Sequence, residues 1–254
     1  MIGSLVRLFR QRRAEAKAQG DHSHAPQDIV DRIGAPKGRG ILRDVVYGAI
    51  DGSVTTFAIV AGVAGAGLSP FIIVALGLAN VLADGFSMAA GNFSGTKAER
   101  DNVARLRSVE DHHITHYPEG ERLEVREILA RMGLSGEVLE QATSEITADR
   151  QRWIDLMIDG EYGLGGVDPH PMRAALATFL AFLVAGMVPL MPFVLGLNGA
   201  FALSAWMTLA VFFAIGAFKS RWSLSPWWRS GLETLAIGGL AAGIAFVVGT
   251  LFQV

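Results

Sequence analysis

A row of polar and soft side chains runs through one apolar stretch of the chain. Asn80, Asp84, Met88 and Asn92 follow one another at intervals of four residues, so they would share one face of a helix. Carboxylate and amide oxygens alone suit Mg²⁺ or Ca²⁺, whereas a thioether shifts the preference toward transition metals. A second acid, Asp51, lies in the preceding apolar stretch. Because acids inside a membrane are costly and mark ion pathways, we interpret these residues as the lining of a metal-cation path, with hydrogen bonding between helices as the structural alternative.

Five apolar stretches must position these residues. Each is close to the ~20 residues that a membrane-spanning helix requires, and almost none of them has the polar face that a helix of a soluble core needs. The chain has no cysteine, which excludes disulfides and thiolate metal ligands. The sequence therefore predicts an all-α integral membrane protein that spans the lipid bilayer with five transmembrane helices, at residues 45–68, 71–93, 174–196, 199–218 and 232–252.

The positions of the basic residues predict the topology. All 22 Lys and Arg residues fall within residues 1–43, 95–173 and 219–229. By the positive-inside rule, the N-terminus and these segments are expected in the cytoplasm, and the C-terminus on the opposite side. No cleavable signal peptide or sorting signal is visible, and we expect a bacterial inner (plasma) membrane.

The chain divides into four predicted parts. Residues 1–43 hold a basic amphipathic segment, expected on the cytoplasmic leaflet, and a polar linker in which His22 and His24 would hold metal only weakly. Residues 44–94 contain transmembrane helices 1 and 2, and residues 171–254 contain helices 3 to 5. Between them, residues 95–170 are expected to form a cytoplasmic three-helix metal-binding domain, with helices at 97–116, 120–132 and 136–160. The first of these helices would continue the second span.

This domain carries a second set of candidate metal ligands. Four side chains of its first helix fall within a sector of ~80°, and two side chains of its third helix share a face. These residues are Glu99, Asn102, Glu110 and His113, then Met157 and Glu161. Carboxylate, imidazole and thioether groups suit Fe²⁺, Mn²⁺, Co²⁺ or Zn²⁺, whereas a solvated charged face is the structural alternative. His112 and His116 either join this site or face solvent.

Two motifs resemble those of the vacuolar iron transporter family, which contains the yeast and plant vacuolar Fe²⁺/Mn²⁺ carriers. Asp51-Gly52 followed by FAIVAGV at 57–63 resembles the first-span motif, and ADGFSMAAG at 83–91 resembles the second-span motif. The predicted order of elements is also similar to that of the family, over about residues 41–252.

The resemblance implies a homodimer that exports Fe²⁺, and possibly Mn²⁺, from the cytosol in exchange for protons. It places Asp51 and Met88 on the transport path, and makes Asp84 the less certain of the two acids. It further implies glutamate ligands spaced 3, 8 and 3 residues apart, followed by a Met-Met-x-x-Glu group. We match these positions to Glu99, Asn102, Glu110 and His113, then Met157, Ile158 and Glu161. Asn102, His113 and Ile158 depart from the family pattern, as does Asn92 where eukaryotic members tend to have Glu.

Two other functions fit parts of the pattern. Glu110-x-x-His113 is the group found in ferritin-like di-iron bundles, which would make the protein a membrane-anchored metal-binding protein or ferroxidase, but such bundles need two such groups. A metal sensor or scaffold has no need of Asp51 and Asp84 inside the membrane. We therefore expect a transporter and no enzyme, with Fe²⁺ or Mn²⁺ as the carried ion, no resident cofactor and no nucleic-acid partner.

Overall fold

The computed structural model describes residues 23–34, 40–165 and 169–251. The predicted amphipathic segment and His22 lie outside this part of the chain. Helix α1, Pro26–Gly34, belongs to a unit formed by residues 1–37, and everything that follows concerns the second unit, residues 38–254.

All the other described elements are helices. They are α2 (Leu42–Gly65), α3 (Pro70–His116), α4 (Pro118–Arg131), α5 (Gly136–Thr147), α6 (Arg150–Gly160), α7 (Pro171–Val194), α8 (Ala200–Lys219), a short 3₁₀ turn (Ser220–Trp222) and α9 (Trp227–Thr250). Helices α2, α3, α7, α8 and α9 are long and apolar enough to cross a membrane. The five predicted spans are thereby confirmed, and the protein is an integral membrane protein with an all-helical fold.

Helix α3 contains 47 residues, which corresponds to a length of roughly 70 Å. Only its N-terminal half is apolar enough to span a bilayer, so the rest continues without a break into the segment between spans two and three. A single rigid helix therefore carries both Met88 and Glu110, as the sequence predicted.

The prediction of a single helix at 136–160 was wrong, because the structure has two helices there. Helix α5 ends at Thr147, and α6 begins after Asp149, whose backbone is extended with φ −113° and ψ 110°. The Asp149 carboxylate accepts hydrogen bonds from the backbone amides of Gln151 and Arg152, at 2.9 and 3.1 Å. An aspartate in this position satisfies the free amides of a first helical turn, so it starts a new helix. The domain is thus built from the end of α3 and three short helices.

The domain has a hydrophobic core of its own to which each of these helices contributes. It contains Leu106 and Ile114 of α3, Val125 and Leu129 of α4, Leu139 of α5, and Trp153, Ile154, Met157 and Ile158 of α6. This core fixes the relative positions of the polar side chains at the edges of the same helices.

Close packing joins α2 to α7 in the membrane-spanning part. A Cβ atom added at Gly52 would lie 2.5 Å from the backbone oxygen of Phe182, and one at Gly48 would overlap the backbone of Thr178. Only glycine allows this approach. Helix α7 continues through Pro189. Proline leaves the carbonyl four residues earlier without its usual donor, and the Ser53 hydroxyl donates to that Ala185 oxygen at 3.3 Å.

Candidate functional site

A cavity of about 490 Å³ opens between α2, α3 and α7. Asp51 and Met88, predicted as the centre of the transport path, both line it. The polar side chains around them are Arg43, Asp44, Tyr47, Asn92, Thr96, Glu99, His170 and Arg173. The carboxylate, amide and thioether groups that line this cavity are ligand types that a divalent transition metal accepts.

Asn92 joins three helices at this cavity. Its amide nitrogen donates to Asp44 Oδ1 at 3.0 Å, to Thr178 Oγ1 at 2.7 Å and to the backbone oxygen of Ala174 at 3.2 Å. Its amide oxygen accepts from the Thr96 hydroxyl at 3.3 Å. Asn92 thus lies on the cavity wall and also orients the Asp44 carboxylate, so the path-lining and helix-pairing interpretations both apply to it.

Asp84 and Asn80 have other positions. Asp84 is half-buried and does not line the cavity, although its charge and that of Asp51 repel each other. The Asn80 amide donates to the Thr55 hydroxyl at 3.4 Å, which itself donates to the backbone oxygen of Asp51. Asn80 therefore takes part in the contact between α2 and α3.

A second group of ligands lies in the domain between spans two and three. One ligand atom from each of Glu110, His113 and Glu121 lies within 4.8 Å of the others. We call these three residues the acidic cluster. The two glutamates are almost fully buried, with 1% and 5% of their surface exposed. Burying two carboxylates so close together is costly unless a proton or a cation lies between them.

The hydrogen bonds of the cluster leave room for such a cation. The Tyr162 hydroxyl donates to Glu110 Oε1 at 2.8 Å, and His113 Nδ1 lies 3.3 Å from Glu121 Oε1. The second carboxylate oxygen of each glutamate is buried and has no hydrogen-bond partner among the described residues. Two unpartnered acid oxygens beside an imidazole form a donor set that suits a divalent metal.

Electrostatics around the cluster favours proton or cation binding. Burial raises the pKa of Glu121 to about 7, assisted by the negative charges of Glu110 and Glu124. Burial, then Glu110, likewise raises the pKa of Glu161, and burial together with the hydrogen bond to Glu110 raises the pKa of the Tyr162 hydroxyl. Glu124 and Glu161 thus extend the field of the cluster, and any positive charge placed there would relieve their repulsion.

The structure divides the ligands that were predicted for this domain. Glu110 and His113 belong to the acidic cluster, and Glu161 lies near enough to feel the charge of Glu110. Glu99 instead lines the membrane cavity, and Asn102 is exposed and accepts from Arg105 at 3.0 Å. Eleven residues of helix separate Glu99 from Glu110, about 16 Å along the axis, so sharing a helix face does not bring their side chains together.

Met157 lies elsewhere again. It is fully buried among the apolar side chains of the domain core, between residues contributed by α3, α4 and α6. Its side chain therefore contributes to packing, and its predicted role as a metal ligand stays a prediction.

Four residues near these sites were missed from the sequence: Asp44, Glu121, Glu124 and Tyr162. A signal existed for three of them. Asp44 precedes Asp51 by seven residues, two helical turns, and so shares its face. The spacing of 3, 8 and 3 residues also begins at Glu110, where it gives Glu110, His113, Glu121 and Glu124. The sequence-based prediction started this spacing at Glu99, eleven residues before Glu110. The set that starts at Glu110 contains the three residues of the acidic cluster.

The chain matches the family model described as the VIT family over residues 42–250. It is 33% identical to vacuolar iron transporter 1 of Arabidopsis thaliana over 216 residues, which covers 84% of this chain and 86% of the relative. It is 34% identical to vacuolar iron transporter 1 of Eucalyptus grandis over 209 residues, 81% and 84% of the two chains. A vacuolar iron transporter of Toxoplasma gondii is 32% identical over 224 residues, 84% and 74% of the two chains. On these matches, together with its five spanning helices, the chain belongs to the VIT family.

Proposed function

We propose that this protein carries a divalent transition metal, Fe²⁺ first and Mn²⁺ second, out of the cytosol across the membrane in which it lies. The proposal rests on the cavity between α2, α3 and α7, which Asp51 and Met88 both line. The names of the matched relatives, all vacuolar iron transporters, support iron as the cargo.

The acidic cluster acts as the site of capture from the cytosol. Glu110, Glu121 and His113 bind the ion, and Glu124 and Glu161 hold it by their charge. The unpartnered oxygens of Glu110 and Glu121 support this role, because a divalent cation would pair with both. An imidazole among carboxylates favours Fe²⁺ over Ca²⁺ or Mg²⁺.

From the cluster the ion moves along α3 to the membrane cavity. Glu99 lies between the two on the same helix and lines the cavity, so it is the first carboxylate that the ion meets there. Asp44, held by Asn92, comes next, and then Asp51, two helical turns further along α2, together with Met88. The soft sulfur of Met88 favours a transition metal over Ca²⁺ at this point.

Protons drive the transport by competing for the same carboxylates. A proton that reaches Asp51 from the far side neutralises it, and the metal loses its strongest ligand and leaves. Asp84, whose charge acts on Asp51, adds to the cost of keeping both acids ionised and so favours taking up that proton. The result is exchange of metal for protons without ATP.

The protein works as a homodimer in a bacterial inner membrane, with the N-terminus and the 95–170 domain in the cytoplasm. The distribution of Lys and Arg supports this orientation, and the family resemblance supports the dimer. A transporter is favoured over a ferroxidase, since Glu110-x-x-His113 supplies one of the two groups that a di-iron centre needs.

Metal uptake into proteoliposomes tests the proposal. We expect Fe²⁺ to enter faster when the lumen is acidic than without a gradient, and Mn²⁺ to compete better than Ca²⁺. Uptake at the same rate with and without the gradient would contradict proton exchange but would still be consistent with metal transport. No uptake of Fe²⁺ or Mn²⁺ above that of empty liposomes would contradict the transport function itself.

A further inference from the structure

Two histidines near the end of α3 take no part in the function proposed above. His112 and His116 are exposed and four residues apart, so they share a face of the helix. That face points about 110° away from the mean direction of Glu110 and His113 around the helix axis. The pair is therefore a separate feature of the surface.

The two imidazole rings already lie against each other. Their centroids are 3.9 Å apart, with an angle of 29° between the planes. Histidines four residues apart on one helix are the pair by which H-x-x-x-H helices hold zinc. Zinc bound at 2.0–2.1 Å in tetrahedral geometry needs two nitrogens about 3.3 Å apart, a spacing that two rings with centroids 3.9 Å apart can reach by side-chain rotation.

A hydrogen bond to the backbone prepares His116 as a ligand. Its Nδ1 lies 2.8 Å from the backbone oxygen of His112. A carbonyl oxygen only accepts, so Nδ1 must carry the proton and donate it. In the neutral ring this leaves the lone pair on Nε2, at the far edge of the ring. Metal-binding histidines commonly fix their free nitrogen by donating the other N–H to a carbonyl in this way.

The charges beside the pair do not oppose a cation strongly. Arg150 begins the neighbouring helix α6, and its guanidinium donates to Asp111 Oδ1 at 2.5 Å and to the Thr115 hydroxyl at 2.6 Å. Its charge is thus offset by a carboxylate. On the other side, His113 Nδ1 lies 3.3 Å from Glu121 Oε1 in the acidic cluster, and the His113 ring centroid is 6.2 Å from that of His112.

From this geometry we infer that His112 and His116 form a second, exposed metal site, a two-imidazole chelate for Zn²⁺, Cu²⁺ or Ni²⁺ with water in the remaining positions. It is distinct from the acidic cluster in both place and chemistry. Two nitrogen ligands follow the order of affinity that rises from Mn²⁺ to Cu²⁺, so the site holds Mn²⁺ weakly. Without a glutamate after the first histidine, it lacks the base of a zinc protease.

Copper spectroscopy on the full-length protein in detergent tests this inference. His22 and His24 are first replaced by alanine, because they could bind copper themselves. We expect the electron paramagnetic resonance spectrum of Cu²⁺ in this parent to show hyperfine splitting from two ring nitrogens. His112→Ala and His116→Ala should each abolish the two-nitrogen pattern and weaken Zn²⁺ binding by about tenfold or more, whereas His113→Ala should keep the pattern.

Both variants should fold, because the two positions are exposed and alanine is a strong helix former. A parent spectrum without the two-nitrogen pattern would overturn the inference. It would equally fall if the pattern survived His116→Ala, or if His113→Ala alone removed it.

Discussion

Glu121 lies in the acidic cluster with one carboxylate oxygen near His113 and the other buried without a partner among the described residues. We predict that Glu121→Gln weakens binding of Fe²⁺ or Mn²⁺ to the purified protein by tenfold or more, since removing even an indirect partner of a metal site costs 10–100-fold. Titration calorimetry would measure this.

Asn102→Ala provides the matched control for that variant. Asn102 is exposed and bonded to Arg105 on its own helix, so its removal should leave metal affinity unchanged. If Asn102→Ala weakened binding as much as Glu121→Gln did, the ligand set first predicted from the sequence would be the better one.

The same carboxyl group makes the stability of the metal-free protein depend on pH. Burial raises the pKa of Glu121 to about 7 from its ordinary 4.5, so the folded state holds this proton more tightly than the unfolded chain does. This proton adds at most about 3 kcal/mol to the stability of the folded protein. That stabilisation is fully present below about pH 4.5 and is lost as the pH rises through 7.

Thermal unfolding of the metal-free protein between pH 5 and 8 measures this dependence. The unfolding temperature should fall with rising pH, and the fall should be smaller in Glu121→Gln, whose amide does not titrate. Equal slopes for the two proteins would contradict the buried state of Glu121. Added Fe²⁺ or Mn²⁺ should offset the loss at pH 7 and above, because the metal replaces the proton.

The residues of the cavity and of the cluster were predictable to different extents. Asp51 and Met88 stand out in the sequence because an acid and a thioether in an apolar span have few structural uses. Glu121 stands among many other acids of the domain, and only the packing of α4 on α3 buries it, whereas Glu124 beside it stays exposed. Glu110 and Glu99 share a helix face, yet angular position alone carries no information on axial distance.

At the scale of helices, the close packing of α2 against α7 fixes the relative position of two helices that line the cavity. Gly52→Ala would place a methyl group 2.5 Å from the Phe182 backbone oxygen, and backbone atoms cannot move aside cheaply. We predict a loss of about 1–3 kcal/mol in stability, as for other overpacked sites, seen as a lower unfolding temperature in detergent.

Gly62→Ala, on the same helix, is the control for this effect. A Cβ added there meets nothing within 4 Å, and alanine is the better helix former, so the stability should stay the same or rise. Equal destabilisation by both variants would mean that the close contact of α2 with α7 is not what Gly52 provides.

The helices could be predicted from the sequence wherever a single property determines their bounds. The five spans are set by apolar length alone, and all five were found. The division of 136–160 was missed because a single capping aspartate, Asp149, competes with an otherwise helical pattern. Capping by Asp149 becomes decisive only when α5 can pack on α4 while α6 packs on both α3 and α4.

At the scale of the whole molecule, the 95–170 domain and the 219–229 loop should lie on the same side of the membrane. The native chain has no cysteine, so single cysteines report their location cleanly. Ser135→Cys and Ser223→Cys should react with an impermeant thiol reagent only from the cytoplasmic side, and Asn198→Cys only from the other. Labelling of Ser135→Cys and Asn198→Cys from the same side would contradict the topology.

The proposed path of the metal across the membrane runs through the cavity that Asp51 and Met88 line. The most direct measurement is Fe²⁺ flux into proteoliposomes under one fixed pH gradient, for the native protein and for Asp51→Asn. Asp101→Asn is the matched control, since Asp101 is exposed, lies outside the cavity and pairs with Lys97 at 2.6 Å. We predict that Asp51→Asn reduces the flux to nearly that of empty liposomes while Asp101→Asn keeps it. Native flux in Asp51→Asn would contradict the claim.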